Sequence, residues 1–293
     1  WLTGRTVRMV YTRGESMAAS TKRHPSRITA SAAANAEGRL QAFEFHGDFD
    51  TGAYASWGPT VANRVPVHAM GPYAVPHVRC TTAALHSNGP PSGAFRGFGV
   101  PQEAIAGEAL MDLLAAQLGM DAWEFRRINA LGVGSVTATG QMLGAGAALP
   151  ECLDALKPHW LALRARAAAF NAENNVLRQG VGIACMWYGI GNTSMSNPSE
   201  MVMGIGPDGR CTLFSGAVDI GQGSNTIMIQ IAAEALGVAP GALQLVSGDT
   251  KTTRNAGKTS ASRQTFVSGN AAKQAGLALR DAILRRANAG DDR

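Results

Sequence analysis

The sequence predicts an α+β fold, with helices and strands mixed and no doubly wound sheet. Three observations lead there. Several segments alternate apolar and polar residues by two, several others repeat apolar residues at helical spacing, and the two kinds follow one another without a regular β-α-β rhythm.

Element by element, Arg5–Thr12 alternates and reads as a strand. Arg27–Ala33 and Leu40–His46 read as a hairpin around the turn Ala36-Glu37-Gly38. From Gln102 to Leu118 the residues Ala106, Ala109, Leu110, Leu113, Leu114 and Leu118 lie at helical spacing, with Pro101 ahead and Gly119 as the stop. A helix is expected over Ala122–Asn129. Residues 132–148 are Gly- and Ala-rich and read as a connection. Pro150 opens a helix to about Asn174, expected to break or kink near Pro158. Strands are expected at Gly180–Met186 and Glu200–Gly204. The turn Pro207-Asp208-Gly209 leads to a return strand, Cys211–Gly216. A helix over Asn225–Leu236, a short strand at Leu243–Ser247 and a last helix over Ala271–Ala287 complete the reading; no internal repeat shows in the sequence.

The chain has 293 residues, 45% hydrophobic and 16% charged, enough for one large domain or two ordinary ones. No stretch approaches the roughly 18 apolar residues of a membrane span. The net charge of +5 is spread out, and its densest pairs, Arg126-Arg127 and Arg285-Arg286, are expected on solvent faces of helices, so nucleic acid is not an expected partner. Cys80, Cys152, Cys185 and Cys211 are far apart, with no C-x-x-C pair. They give no zinc, iron–sulfur or disulfide signature and point to a reducing compartment, hence to the cytoplasm. The opening Trp1-Leu2-Thr3-Gly4-Arg5 has neither an initiator Met nor a signal-peptide pattern and reads as the middle of a longer protein.

Three glycine-rich segments each precede a helix. Gly93–Gln102 places glycines beside Phe95 and Phe98, allowing close backbone approach to a ligand, and Arg96 adds donors for an anion. Asp219–Thr226 contains Gly221-Gln222-Gly223, whose side-chain amide both donates and accepts; no Gly-Lys-Ser/Thr follows, so it is not a P-loop. Thr252–Gln264 is a run of small polar residues able to wrap a polar ligand. Singly, each also fits an ordinary surface loop. Together they suggest convergence on one extended anionic ligand of unspecified identity.

At Ala94-Phe95-Arg96-Gly97-Phe98-Gly99 with Pro101-Gln102, the sequence resembles the large, molybdenum-cofactor-binding subunits of the xanthine oxidase and aldehyde oxidoreductase family. The resemblance continues in order through Tyr73–Arg79, Phe125–Asn129, Thr139-Gly140-Gln141, Gly221-Gln222-Gly223, Ser262-Arg263-Gln264 and Gly269-Asn270-Ala271. It implies parts of two molybdopterin-binding domains, the first ending near residue 147 and the second covering 148–293. It also implies a molybdenum–pyranopterin cofactor, for which the cytosine dinucleotide is one available form, with no direct protein ligand to the metal.

By the same resemblance, Phe95, Arg96, Gly221, Gln222, Gly223, Ser260, Ala261, Ser262, Arg263 and Gln264 would bind the cofactor. Arg64, Phe98 and Thr193 would face the substrate, with Asn192-Thr193 standing where purine-oxidising relatives carry a second aromatic. Arg254 and Lys258 stand where relatives often carry prolines, and the Phe95–Phe98 loop lacks the cysteine of the copper-bearing carbon monoxide dehydrogenases.

The family's general base is a glutamate in a Gly-Val-Gly-Glu segment, and no glutamate of this chain matches it. The resemblance therefore implies part of a hydroxylase that oxidises aldehydes or N-heterocycles with water as oxygen source, expected to be inactive alone. Expected partners are the rest of the large subunit, a [2Fe–2S] subunit or domain and an FAD subunit, with the assembled enzyme a dimer. The competing expectation is a non-catalytic scaffold that keeps the fold without cofactor.

Overall fold

The computed structural model describes residues 2–192 and 196–288. Contacts divide the chain into two compact units, Trp1–Tyr188 and Gly189–Arg293.

In the first unit, helix α1 (Arg13–Ala19) starts at a capping box. The Thr12 hydroxyl accepts from the Glu15 N–H, and the Glu15 carboxylate accepts from the Thr12 N–H at 2.8 Å. Strands β1 (Ser26–Ala34) and β2 (Leu40–Gly52) form the expected antiparallel hairpin, with Ala30 opposite Phe45. Leu40, Phe43, Phe45 and Phe49 of β2 are buried while Gln41, Glu44 and His46 face out, the alternation a sheet with one dry face requires. Helix α2 (Gly58–His68) then crosses over, and strand β3 (His77–His86) joins β2 in parallel. Neither α2 nor β3 was expected as an element from sequence.

Helices α3 (Val100–Gln117), α4 (Ala122–Asn129) and α5 (Leu149–Glu173) follow, close to the expected bounds. One core gathers Phe43, Phe45, Phe49, Val65 and Met70 between sheet and α2, and another gathers Leu40, Tyr73, Met111, Phe125 and Trp160. The Asn129 side chain ties the end of α4 to the turn before β2: its Oδ1 accepts from the Leu40 N–H at 2.9 Å and its Nδ2 donates to the Gly38 carbonyl at 2.7 Å.

In the second unit, β4 (Met201–Ile205) and β5 (Cys211–Ser215) form the expected hairpin. Helix α6 (Ser224–Leu236) crosses over to β6 (Leu243–Ser247), which pairs with β5 in parallel. Helix α7 (Gly269–Asn288) packs on α6 so closely that a Cβ on Gly276 would lie 2.8 Å from the Ala232 carbonyl. Leu213, Met228, Ala232 and Ala272 fill this core. Both units thus repeat one topology: an antiparallel pair, a helical crossover to a parallel third strand, then a helix.

Three sequence expectations fail for physical reasons. Arg5–Thr12 pairs with no strand, and its residues are exposed: period-two patterning forms a strand only where a neighbouring edge supplies hydrogen bonds. Gly180–Met186 also joins no ladder. Its alternation is genuine, but Val181, Ile183 and Cys185 pack onto the helical core instead. Arg126 does not lie on a solvent face; it is fully buried, while Arg127 is half-exposed and paired with Asp154 at 2.7 Å. In addition, α5 runs through Pro158 as one helical span without the expected break. Among the described residues no helix is long and apolar enough to cross a membrane.

Candidate functional site

The first glycine-rich segment lies in the first unit and folds into a tight turn before α3. The Phe98 N–H donates to the Phe95 carbonyl at 2.8 Å, and the Val100 N–H to the Gly97 carbonyl at 3.0 Å. Gly97, Phe98 and Gly99 all take left-handed conformations, with φ of +89°, +51° and +96°. Such a conformation costs a phenylalanine about 1–2 kcal/mol, and strain of this kind collects at ligand-binding loops. Gly99 is needed for close approach, since a Cβ there would sit 2.6 Å from Val65 Cγ2 on α2.

The Arg23 side chain straps this turn down. Its guanidinium lies 4.6 Å from the Phe95 ring centroid, donates to the Arg96 carbonyl at 2.5 Å and reaches Gln102 Oε1 at 3.3 Å. Arg96 and Phe95 are exposed, whereas Phe98 is half-buried and meets Trp57 edge to face with centroids 6.2 Å apart.

Trp57 is the residue before α2, and two turns on, the same helix carries Arg64, which is buried beside Tyr188. Arg64 and Phe98 therefore share one scaffold: Arg64 is on α2, and the Phe98 turn rests on its Val65. Sequence reasoning missed Arg23, Trp57 and Tyr188, because their partners lie more than thirty residues away in the chain. Thr193 lies outside the described residues.

The second and third segments lie in the second unit and are joined. The Thr259 hydroxyl donates to the Val218 carbonyl at 2.8 Å and lies within 3.0 Å of the Gln264 side-chain amide. In the Gly221-Gln222-Gly223 turn, the donors expected to face a ligand are satisfied internally. Asp219 Oδ1 accepts from Gly221 N–H at 2.7 Å, and Oδ2 accepts from Asn225 N–H at 3.2 Å. These bonds hold the Asp219 carboxyl below its usual pKa. Gln222 folds back on its own loop, accepting from Ile220 N–H at 2.7 Å and donating to Ser224 Oγ at 3.1 Å.

The third segment has a different character. Ala261 and Ser262 are consecutive left-handed residues, with φ of +56° and +53°. Gln264–Ser268 forms a π-helical turn that leads into α7, an arrangement enriched at functional sites. Arg263 is buried and donates to the Ala256 carbonyl at 2.6 Å and the Lys258 carbonyl at 3.2 Å, with the Pro198 carbonyl also accepting. Burial lowers its pKa.

Gln264 donates to Thr259, but its Oε1 is buried without a hydrogen-bond partner among the described residues, as is Arg263 Nε. A buried amide oxygen left alone costs about 1–3 kcal/mol unless something else satisfies it. Ser262 and Phe266 border an open groove of about 800 Å³ between α6 and α7, lined also by Glu234, Lys273 and Arg280. Among the described residues there is no cluster of three or more His, Cys, Asp or Glu able to hold a metal.

The family model described as molybdopterin cofactor-binding domain matches residues 1–130, and a second model with the same description matches residues 155–292. The nicotinate dehydrogenase large molybdopterin subunit of Eubacterium barkeri is 48% identical over 152 residues, covering 52% of this chain and 36% of that protein. The aldehyde oxidoreductase of Megalodesulfovibrio gigas is 33% identical over 276 residues, covering 93% of this chain and 30% of that protein. The solved structure of an aldehyde oxidoreductase from Desulfovibrio gigas superposes with a TM-score of 0.83 at 34% identity, covering 89% of this chain and 29% of that one. The chain thus spans about a third of the length of these relatives.

Proposed function

Because this chain belongs to the family of molybdopterin cofactor-binding domains, matched in both halves, we propose that it forms part of the molybdenum-binding subunit of a hydroxylase. The observation that carries this reading is the Ser260–Gln264 segment. It combines two left-handed residues, the start of a π-helical turn and a buried Gln264 Oε1 without a partner among the described residues, and its Ser262 borders the groove of about 800 Å³ between α6 and α7.

The residues fit a molybdenum–pyranopterin. Ser260, Ala261, Ser262, Arg263 and Gln264 would hold it from the second unit, with Gly221, Gln222 and Gly223. Phe95 and Arg96, in the first unit, are cofactor-binding residues of the same proposal. When bound, the group supplies the redox centre for inserting a water-derived oxygen into a C–H bond; its form, with or without a cytosine dinucleotide, belongs to the same proposal.

The chain's own residues orient substrate. Phe98 offers a ring face to a planar molecule, and Arg64 an always-charged guanidinium. The 48% identical relative is named for nicotinate, which supports an N-heterocycle over a simple aldehyde. The general base matches no glutamate of this chain, so activity requires the remaining part of the subunit. Electron transfer through [2Fe–2S] and FAD partners, a dimeric assembly and a cytoplasmic location complete the reading. A cofactor-free scaffold is the second reading, favoured by the internally satisfied Asp219–Gln222 turn.

The test is to purify the chain and measure molybdenum by mass spectrometry and pterin by fluorescence after oxidation. Near-stoichiometric pterin that is lost in Gln264→Ala supports the proposal. No pterin in a folded protein from cells competent to make the cofactor supports the scaffold.

A further inference from the structure

Thr259 stands between the second and third glycine-rich segments, and its hydroxyl uses its whole hydrogen-bonding capacity to join them. A threonine hydroxyl has one proton to give and two lone pairs to fill. The proton goes to the Val218 carbonyl at 2.8 Å. The lone pairs accept from the Val218 N–H at 3.3 Å and from Gln264 Nε2 at 3.0 Å. The two segments also meet through their backbones: a Cβ on Gly216, just after β5, would lie 2.1 Å from the Arg254 carbonyl.

Each partner of Thr259 is tied in turn into its own loop. The Val218 carbonyl also accepts from Gln222 Nε2 at 3.3 Å, so one oxygen joins Gln222 to Thr259. Gln264 Nε2 gives its other proton to the Lys258 carbonyl at 3.3 Å. A carbonyl only accepts, which fixes the Gln264 amide with its nitrogen toward Lys258 and Thr259. Its Oε1 is left as the open acceptor, buried and without a partner among the described residues.

We propose that Thr259 is a positioning residue: it holds segments 218–223 and 259–264 in one register and sets the direction of Gln264 Oε1, without touching a ligand itself. The proposal rests on the reading above, in which both segments hold the cofactor. With its hydroxyl filled, Thr259 has no side-chain donor or acceptor left for a ligand, whereas Gln264 Oε1 accepts an N–H or O–H from one. Residues 216–223 and 253–263 lie outside helices and strands, so side-chain bonds of this kind set their spacing.

The test is hydrogen–deuterium exchange of the 293-residue chain, read by mass spectrometry over 217–224, 256–268 and, as reference, the β4–β5 hairpin. Thr259→Val keeps the shape and removes the hydroxyl. It is expected to speed exchange in both loop segments by about tenfold, as the loss of one or two net hydrogen bonds implies, and to leave the hairpin as in wild type. Thr259→Ser keeps the hydroxyl and is expected to stay within about twofold of wild type. A rise confined to 256–268 would overturn the proposal, since the hydroxyl would then serve its own loop alone. So would no rise in either segment, or a rise that includes the hairpin in both Thr259→Val and Thr259→Ala, the mark of a general role in folding. Pterin content of the same preparations separates this proposal from the reading it rests on. Wild type without pterin, with exchange in the two segments still linked, removes the cofactor assignment and keeps the link. Undiminished pterin in Thr259→Val despite faster exchange keeps the assignment and overturns the positioning role.

Discussion

The Arg126 guanidinium, with its side chain fully buried, donates to Glu108 Oε2 at 2.8 Å across the α3–α4 contact. The same carboxylate accepts from the Tyr73 hydroxyl at 2.6 Å and from the Cys185 N–H at 3.0 Å, so one acidic group joins four segments of the first unit. Burial alone would lower the Arg126 pKa; Glu108 and Tyr73 beside it raise it overall. Breaking such a pair leaves the remaining charge buried, which costs about 3–5 kcal/mol. Arg126→Met is therefore expected to lower the urea midpoint of the first unit by that equivalent, and Glu108→Gln added to it to recover part of the loss. A loss under 1 kcal/mol would show that the pair is dispensable.

Glu103 gives the first unit a pH dependence. It is buried on α3, its Oε2 has no partner among the described residues, and it borders a cavity of about 10 Å³. Burial, and then the Glu108 charge, push its carboxyl from the usual 4.5 up to about 9. Between those values the folded chain holds a proton that the unfolded chain has released. Stability from this group is therefore undiminished below pH 4.5, falls as pH rises, by up to about 1.4 kcal/mol per unit, and levels off above pH 9. Glu103→Gln should match wild type near pH 4.5 and exceed it increasingly from pH 5 to 8. Denaturant curves at those pH values decide it, and parallel pH profiles would refute it.

Much of this architecture is legible in the sequence where a pattern and its physical cause are both local. Both hairpins, α4 and β6 follow from alternation, turn residues and helical spacing within a dozen residues. Helix α2 was hidden because Pro59, Pro66, Arg64 and His68 make its stretch read as a polar, broken loop, although its buried face carries Val61 and Val65. Arg5–Thr12 and Gly180–Met186 mislead in the opposite sense, since alternation says nothing about whether a partner edge exists. The candidate site shows the same division. Glycine-rich loops can be seen, but Arg23 over Phe95 and Arg64 over Tyr188 join residues 72 and 124 positions apart, which no local pattern can reveal.

Gly99 should be among the least replaceable residues of the first loop. Gly99→Ala would force a side chain into a left-handed backbone and drive its Cβ to 2.6 Å from Val65 Cγ2. Overpacking and backbone strain together amount to about 2–5 kcal/mol. The expected result is that loss of stability with altered tryptophan fluorescence, because Phe98 would move off Trp57. A spectrum and midpoint like wild type would show that the turn relaxes without disturbing the aromatic pair.

Ala261 gives the complementary case. Its φ of +56° penalises any residue with a Cβ, and the following Ser262 repeats the strain at +53°. Glycine removes the steric penalty of about 1–2 kcal/mol but restores about 0.4–1 kcal/mol of unfolded-state entropy. Ala261→Gly should thus be neutral to stabilising by about 1 kcal/mol, whereas Ala261→Val, branched at Cβ, should destabilise the second unit. If the strain is retained because it aims Ser262 and Gln264 at a cofactor, Ala261→Gly should also lower pterin retention while raising the denaturation midpoint. Thermal unfolding and pterin content measured on one preparation test both parts; a rise in stability with undiminished pterin would mean that the strained turn serves no ligand.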